Sequence, residues 1–537
     1  MIEKIIIQNF KGFENFDLSF GKNINTIVGN NESGKSTILE AINLALTKTL
    51  NGHYLENELS VHIFNLNTVD KFIKSIADGE PTPPPKILIE LYFDDTFSDS
   101  NFEGTNNLCK NDVCGIKLEI LFDEEYQGEY AEIISDKSIK TIPVEYYKIN
   151  WQTFSGKLLT TKIIKDSVLC SYIDASSIQL RTGTDYYLQE IIRDHLDTKD
   201  RSNLSLSYRY IKEGFSQRQE ILNINNKLKN TDQGLSNKSI EIALDISQKT
   251  GWETNTIPYI ENLPYHYAGK GEQNSLKILL ALNRRKSINS DIILIEEPEN
   301  HLSFSWMRNL ISKIESKCDG KQIIITTHST YIINKLGLEN LILLNKNGVH
   351  SQMKLTELPK ETENYFKKLS GYDTLRMVLS RKAILVEGPS DELIIQKAYL
   401  NKYSKLPIED EIDVINIRGL SFLRFLEIAD KLDLKINVVT DNDGDYSKNI
   451  TQKYSEYQQH QNIKICASSN DTLKTLEPQF VECNDLSTLL KIFNKQADTT
   501  KEELIYWMEK NKTEWALLIF ETAEKINFPD YVITAIS

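Results

Sequence analysis

The sequence predicts an α/β protein of several domains, with two blocks of alternating strands and helices on either side of a helical stretch. Three observations carry that expectation. At 537 residues the chain exceeds what one hydrophobic core accommodates, which points to about two to four domains. Residues 29–37, GNNESGKST, form a glycine-containing loop between an apolar strand, INTIV, and an amphipathic helix. Near the C-terminus, AILVEGPSDE at 383–392 and INVVTDNDGD at 436–445 are short apolar, β-branched runs that stop abruptly at carboxylates.

The elements follow in order. KIIIQNF, FENFDLSF and INTIVG read as a hairpin and a third strand, and STILEAINLALTKTL reads as the helix after the loop. PTPPP at 81–85 breaks any helix and releases the chain into the strand ILIELYFDD; a second strand, IKLEILFDEE, makes this part β-rich. VLCSYID at 168–174 is a further strand. From 185 to 250 the period turns helical, as in YYLQEIIRDHL and FSQRQEILNINNKLKN. Alternation returns with GKGEQNSLKILLALNRRK, DIILIEEPENHL and KQIIITTHST, and NLILLNKNGVHSQMKL closes the block as a hairpin. The expected domains are thus 1–184, an inserted helical arm at 185–250, 251–375, and 376–537.

Composition narrows the class. Charged residues make up 26% and mean hydropathy is -0.37, no run of about 18 apolar residues occurs, and MIEKIIIQNF is a charged strand rather than a signal, so a cytoplasmic protein with no membrane association is expected. Six scattered cysteines form no disulfide framework, and Cys109 and Cys114 lack a second pair for zinc. A net charge of -14 argues against general polyanion binding, although 62 Lys and Arg residues suffice to line a local basic track.

The loop matches G-x-x-x-x-G-K-[ST] in the strand–loop–helix context that motif needs. Gly29, Asn30, Asn31, Ser33, Gly34 and Thr37 would surround the phosphates of ATP, Lys35 would reach the β and γ phosphates, and Ser36 would hold Mg²⁺. DIILIEEPENHL ends in Glu296 and Glu297, where the first acid organises Mg²⁺ through water and the second positions the attacking water. IIITTHST sets His328 at the end of the next strand, within reach of a γ phosphate. At the other end, Glu387, Asp441 and Asp443 should emerge side by side at the C-terminal edge of parallel strands, where open α/β sheets bind ligands. Carboxylates held that close repel one another, and a hard divalent cation, Mg²⁺ or Mn²⁺, relieves the repulsion.

Order and spacing of the first set resemble ATP-binding cassette ATPases of the repair and chromosome-maintenance type, with GKGEQ, and in it Gly271, resembling their signature motif. The resemblance implies that ATP binding depends on dimerisation, the signature of one subunit completing the site of another. Two features depart from that pattern: the usual Walker B aspartate is Glu296, one methylene longer, and no Q-loop glutamine stands out. Slow or regulatory hydrolysis is the implication. VEGPSDE followed by a helix and a strand ending in DND resembles the TOPRIM domain of topoisomerases, primases and the overcoming lysogenization defect (OLD) nucleases, over roughly residues 380–537. By that resemblance Glu387 is a metal ligand or general acid/base, Asp391, Asp441 and Asp443 bind metal, Glu477 in TLEPQF, after the expected strand ICASSNDTLKTLE, occupies a comparable acidic position, and Lys512 stands beside the scissile phosphate.

An ATP-binding cassette ATPase with a helical, dimerising insertion followed by a Rossmann-like TOPRIM domain is the arrangement of the OLD family, which includes Gabija-type and retron-associated antiphage effectors. The resemblance implies a metal-dependent DNA endonuclease controlled by ATP, acting in antiphage defence as a homodimer or higher oligomer joined through ATPase heads and arm. A separate helicase, or a reverse transcriptase with its noncoding nucleic acid, is an implied partner. The competing reading is an ATP-driven DNA-binding protein of the repair type whose TOPRIM module binds metal or DNA without cutting.

Overall fold

The computed structural model describes residues 1–30, 32–136, 139–174, 180–181, 184–185, 192, 196–229, 241–246, 252, 255–283, 290–337, 340–344, 350–354, 358–368 and 376–537. Two compact units are present: Met1–Asn25 with Gly34–Thr327, and Thr26–Ser33 with His328–Ser537. In the first, β-branched and aromatic runs build an antiparallel sheet. Strands β1 (Ile2–Phe10) and β2 (Phe13–Ser19) form the opening hairpin. Strand β3 (Ile24–Gly29) leads to the loop, and helix α1 (Lys35–Thr47) follows it. Strands β4 (Ile87–Phe93), β5 (Val113–Phe122) and β6 (Tyr147–Thr153) complete the order β2-β1-β4-β5-β6. The proline-rich segment 81–85 has no regular structure, as its missing amide donors require.

Three further strands of this unit pair in parallel, beside short antiparallel pairs such as Thr49–Leu50 with His53–Tyr54. Strand β7 (Val168–Asp174) is followed by helices α2 (Thr198–Ser216), α3 (Gln219–Lys229) and α4 (Lys270–Leu282), then strand β8 (Ser290–Glu296), helix α5 (Phe304–Lys317) and strand β9 (Gln322–Thr326). β8 pairs with β7 on one side and β9 on the other. All five residues of β9 are buried, the continuous apolar run expected of a strand covered on both faces. Buried Gln322 ties this sheet to the antiparallel one, accepting from the Ile2 N–H at 2.8 Å and donating to the Ile2 carbonyl at 2.7 Å. The Trp151 indole N–H donates to the Ala45 carbonyl (2.8 Å), pinning α1 to β6.

Of the expected arm, α2 and α3 are helical as their period predicts, and YYLQEIIRDHL lies largely outside the described residues. Residues 241–246 carry no helix; they run beside α3, where the Asn225 side chain bonds both the N–H and the C=O of Ile242. α2 buries no residue and leaves Leu204, Leu206, Tyr210 and Ile211 exposed.

In the second unit β3 pairs in parallel with β10 (Asn340–Leu344), which forms the expected hairpin with β11 (His350–Lys354). A four-stranded parallel sheet follows. Its elements are β12 (Lys382–Val386), α6 (Pro389–Tyr403), β13 (Ile412–Asn416), α7 (Phe422–Lys431), β14 (Ile436–Val439) and β15 (Ile463–Cys466). Spatial order is β13-β12-β14-β15. The connection after β12 goes to one side and the return to β14 to the other, so their shared C-terminal edge is a switch point where such sheets open a crevice.

Helices α8 (Leu476–Glu482), α9 (Leu486–Ile492), α10 (Lys501–Lys510), α11 (Lys512–Glu521) and α12 (Asp530–Ala535) complete the chain. β15 ends at Cys466, so the strand expected through residue 477 is a short strand, a loop and the first turn of α8, where Pro478 is tolerated because early helical N–H groups lack partners. Trp515 of α11 is fully buried against Phe480 of α8, ring centroids 5.3 Å apart. Among the described residues no helix is long and apolar enough to cross a membrane.

Replacing Trp515 by Ala removes the largest fully buried side chain among the described residues and should cost about 3–5 kcal/mol. Denaturant unfolding followed on the second unit would show this, and an unchanged midpoint would refute it.

Candidate functional site

In the first unit, acidic residues gather where β7, β8 and the start of α1 meet. Parallel register sets Asp174 opposite Glu296, the last residue of β8. Glu296 is buried, and burial raises its carboxyl above the usual range, while hydrogen bonds from Ser36 and Tyr172 hold it down in part. Lys35, the first residue of α1, is buried too; desolvation lowers its ammonium, opposed by the charges of Glu297, Glu296 and Glu299. Gly34 before it has φ 95°, and a Cβ there would lie 2.4 Å from the Phe13 ring, so only glycine fits.

Glu297 follows β8 with φ 44°, a left-handed conformation rare for a residue with a side chain. Its N–H donates to the Thr326 carbonyl at 2.9 Å, and Asn300 donates to its carboxylate at 2.8 Å. The Thr327 hydroxyl donates to Glu299 at 2.6 Å. Gly271, second residue of α4, is buried against the His301 carbonyl. Gly34, Lys35, Ser36 and Thr37 belong to this unit; Gly29, Asn30 and Ser33 belong to the second, and Asn31 lies outside the described residues. In the second unit Asn30, Glu32 and His328 line a cavity of about 650 Å³ with Arg376 and Asp413, which are joined by two 2.6 Å hydrogen bonds.

The other acidic group sits at the switch point. Register places Val386 opposite Val439, so Glu387 and Thr440–Asp441 leave the sheet side by side. One Glu387 oxygen accepts from the Thr440 hydroxyl (2.5 Å) and the Asp441 N–H (3.1 Å). Asp391, in the first turn of α6, accepts from the Gly388 N–H at 3.0 Å. Burial, then Asp391, Glu387, Glu477 and Asp443 in turn, push Asp441 up to about 8; burial and Glu387 push Asp391 up to about 7. Asp443 is exposed with φ 49°, and Glu477 is buried in α8. Lys512 stands exposed at the first residue of α11, and among the described residues no hydrogen bond or ion pair joins it to these carboxylates.

Among the described residues no three acidic, histidine or cysteine side chains form a finished ligand shell. Glu387 and Asp391 instead accept from nearby N–H and O–H donors, and their charges act on Asp441. Hard oxygen donors with a raised affinity for positive charge fit Mg²⁺ or Mn²⁺ rather than zinc.

A family profile described as an AAA ATPase domain matches residues 1–333. The chain belongs to that family. A second, the TOPRIM domain of overcoming lysogenization defect protein-like proteins, matches residues 378–443 and so spans Glu387, Asp391, Asp441 and Asp443. The chain therefore joins an ATPase domain to an OLD-like TOPRIM domain, a pairing that implies use of a nucleotide and a divalent metal. Similar proteins include "Retron Ec83 probable ATPase" of Escherichia coli, 26% identical over 407 residues, 65% of this chain and 72% of that one. "Retron Vc95 probable ATPase" of Vibrio cholerae serotype O1 biovar El Tor is 22% identical over 455 residues, 75% and 83% of the two chains. An "ATP/GTP phosphatase" of Helicobacter pylori is 25% identical over 379 residues, 63% and 87%.

Sequence reasoning missed two supporting residues. Tyr172 donates to Glu296 from the neighbouring strand, its hydroxyl proton held more tightly by burial and that carboxylate. Asn442 is fully buried between Asp441 and Asp443; its amide donates to the Ser468 and Asn470 carbonyls, both at 2.9 Å, and its oxygen accepts from Gly444 N–H at 2.9 Å. An amide between two acids was the available signal for Asn442. Tyr172 had none, because its partner lies 124 residues away.

Raised carboxyl pKa values mean that the native TOPRIM domain holds protons more tightly than the unfolded chain, so stability is fullest at low pH and falls as pH rises through about 7 to 8. Without divalent ions the melting temperature should drop between about pH 6 and pH 8.5, and Mg²⁺ or Mn²⁺ should raise it more at the higher pH. Asp441→Asn should flatten both trends; equal metal-induced shifts at both pH values, in wild type and variant alike, would contradict the assignment.

Proposed function

We propose that this protein is a divalent-metal-dependent DNA endonuclease whose activity is governed by ATP binding and hydrolysis. The observation that carries the reading is the crowding of Glu387, Asp391, Asp441 and Glu477 at the switch point, close enough to push Asp441 up to about 8. Glu387, Asp391, Asp441, Asp443 and Glu477 would hold the metal, which when bound supplies Lewis-acid stabilisation of phosphoryl charge. Glu387, with one oxygen fixed by Thr440 and Asp441 N–H, orients the attacking water through its other oxygen. Asn442 keeps Asp441 and Asp443 on a fixed loop, so little reorganisation is needed as charge develops.

In the ATPase domain Lys35 would contact the β and γ phosphates, Ser36 and Glu296 would hold Mg²⁺, and Glu297, oriented by Asn300, would position the hydrolytic water. Gly34 and Thr37 would line the phosphates beside Lys35, and Gly271 would face the γ phosphate bound by a second subunit. A dimer is supported by the apolar residues that α2 leaves exposed, and we assign the 185–250 insertion as the dimerisation arm. The retron names of two relatives support a retron-associated role in antiphage defence.

Lys35→Ala should abolish ATP turnover, and turnover at the wild-type rate in the purified variant would remove this site from consideration. Wild type should nick or cut supercoiled and linear DNA with Mg²⁺ or Mn²⁺, and Glu387→Ala and Asp441→Ala should each lose at least about 10²-fold in rate. DNA bound but never cut by wild type would favour the non-cleaving repair-type reading.

A further inference from the structure

Five carboxylates are a hostile surface for a polyanion, and the spatial strand order shows where compensating charge stands. Along the C-terminal edge β13-β12-β14-β15, successive loops carry Arg418, Glu387, Asp441 with Asp443, and Lys474. The two basic residues thus occupy opposite ends of the acidic row. Four strands about 4.8 Å apart span about 14 Å, roughly four nucleotides of one DNA strand at 3.4 Å rise.

Both ends are held to the acidic loops by backbone contacts. The Asp443 N–H donates to the Lys474 carbonyl at 3.2 Å. The Lys474 stem lies over Gly444: its Cε is 3.1 Å, and its Cδ and Cγ 3.3 Å, from where a Gly444 Cβ would sit. Gly444 has φ 82°, so glycine serves both the turn and the seat for that stem. The Lys474 stem and backbone thus both lie against the loop that carries Asp443. Three residues later comes buried Glu477, and between them the buried Thr475 hydroxyl has no hydrogen-bond partner among the described residues. At the other end the Gly419 N–H donates to the Glu387 carbonyl at 3.3 Å, and the Ile417 N–H to the Val386 carbonyl at 3.0 Å. Arg418 between them has φ 53° and Gly419 φ 74°, with the Arg418 N–H held by the Asn416 side chain at 2.8 Å. A left-handed conformation is strained for a residue with a side chain, and such strain is found where a group must be aimed.

We propose that Arg418 and Lys474 bracket the carboxylates and grip the phosphodiester backbone on either side of the scissile group, Lys474 being the lysine nearest the reacting phosphate. This rests on the nuclease reading above. Lys474 is chosen over Lys512 because its stem and backbone contact the acidic loop itself.

The test uses full-length Lys474→Met, which keeps the apolar stem over Gly444, with Arg418→Gln, Lys474→Arg and Lys512→Met. Lys474→Met should cleave about 10²-fold slower and Arg418→Gln about tenfold slower, with Lys474→Arg close to wild type. In a Glu387→Gln background that silences cleavage, each loss should reduce the slope of log Kd against log salt by about 0.9 on duplex DNA, and both together by about twice that. The Mn²⁺-induced rise in melting temperature should stay at its wild-type value, separating a phosphate contact from folding or metal binding. Either single charge-removing variant keeping both the wild-type rate and the wild-type slope overturns the proposal, as does loss confined to Lys512→Met. If Glu387→Gln cleaves like wild type, the nuclease reading itself fails, a result distinct from any behaviour of Lys474 or Arg418.

Discussion

Parallel strands paired in register end together, and whatever follows them is forced into one row. That constraint acts twice in this chain. In the ATPase domain it sets Asp174 beside Glu296 and Glu296 beside Thr326; in the TOPRIM domain it sets Val386 beside Val439, so that Glu387 and Asp441 share an edge. In β12 and β14 the apolar residues are buried, so the acidic residues that follow them lie past the strand ends. The carboxylates therefore crowd outside the strand ends, where burial and mutual repulsion act on them together.

The two rows relieve this crowding differently. Glu296 has an internal partner in Tyr172, a bond to Ser36, and the positive charge of Lys35 close by. Much of what it needs is already in the protein. The TOPRIM row has N–H and O–H donors for Glu387 and Asp391, but Asp441 is pushed up to about 8 by burial and then by the charges of Asp391, Glu387, Glu477 and Asp443. Such a site holds a proton strongly, and the loop between Asp441 and Asp443 is kept in place by Asn442.

Much of this was legible in the residues. The loop at 29–37 and the acidic runs at 383–392 and 436–445 carry their own strand and turn signals, and the structure places β3, α1, β12 and β14 where those signals put them. The family profiles agree with the ATPase and TOPRIM resemblances. Glu477 was read after a long strand; Leu476 and Pro478 around it instead open a helix, since proline in a first helical turn leaves no local mark that distinguishes it from a strand end.

Local pattern thus determined the element types, the two phosphate-handling motifs and most of the acidic residues, because periodicity and turn chemistry act over a few residues. Tertiary pairing decided what no short window contains: that Tyr172 supports Glu296, that Asn442 ties its loop to Ser468 and Asn470, and that Arg418 and Lys474 stand at opposite ends of one edge. The reason is strand order. β13 lies outside β12 although it follows it in the chain, and that placement comes from packing helices on both faces of a parallel sheet, a long-range condition rather than a local one.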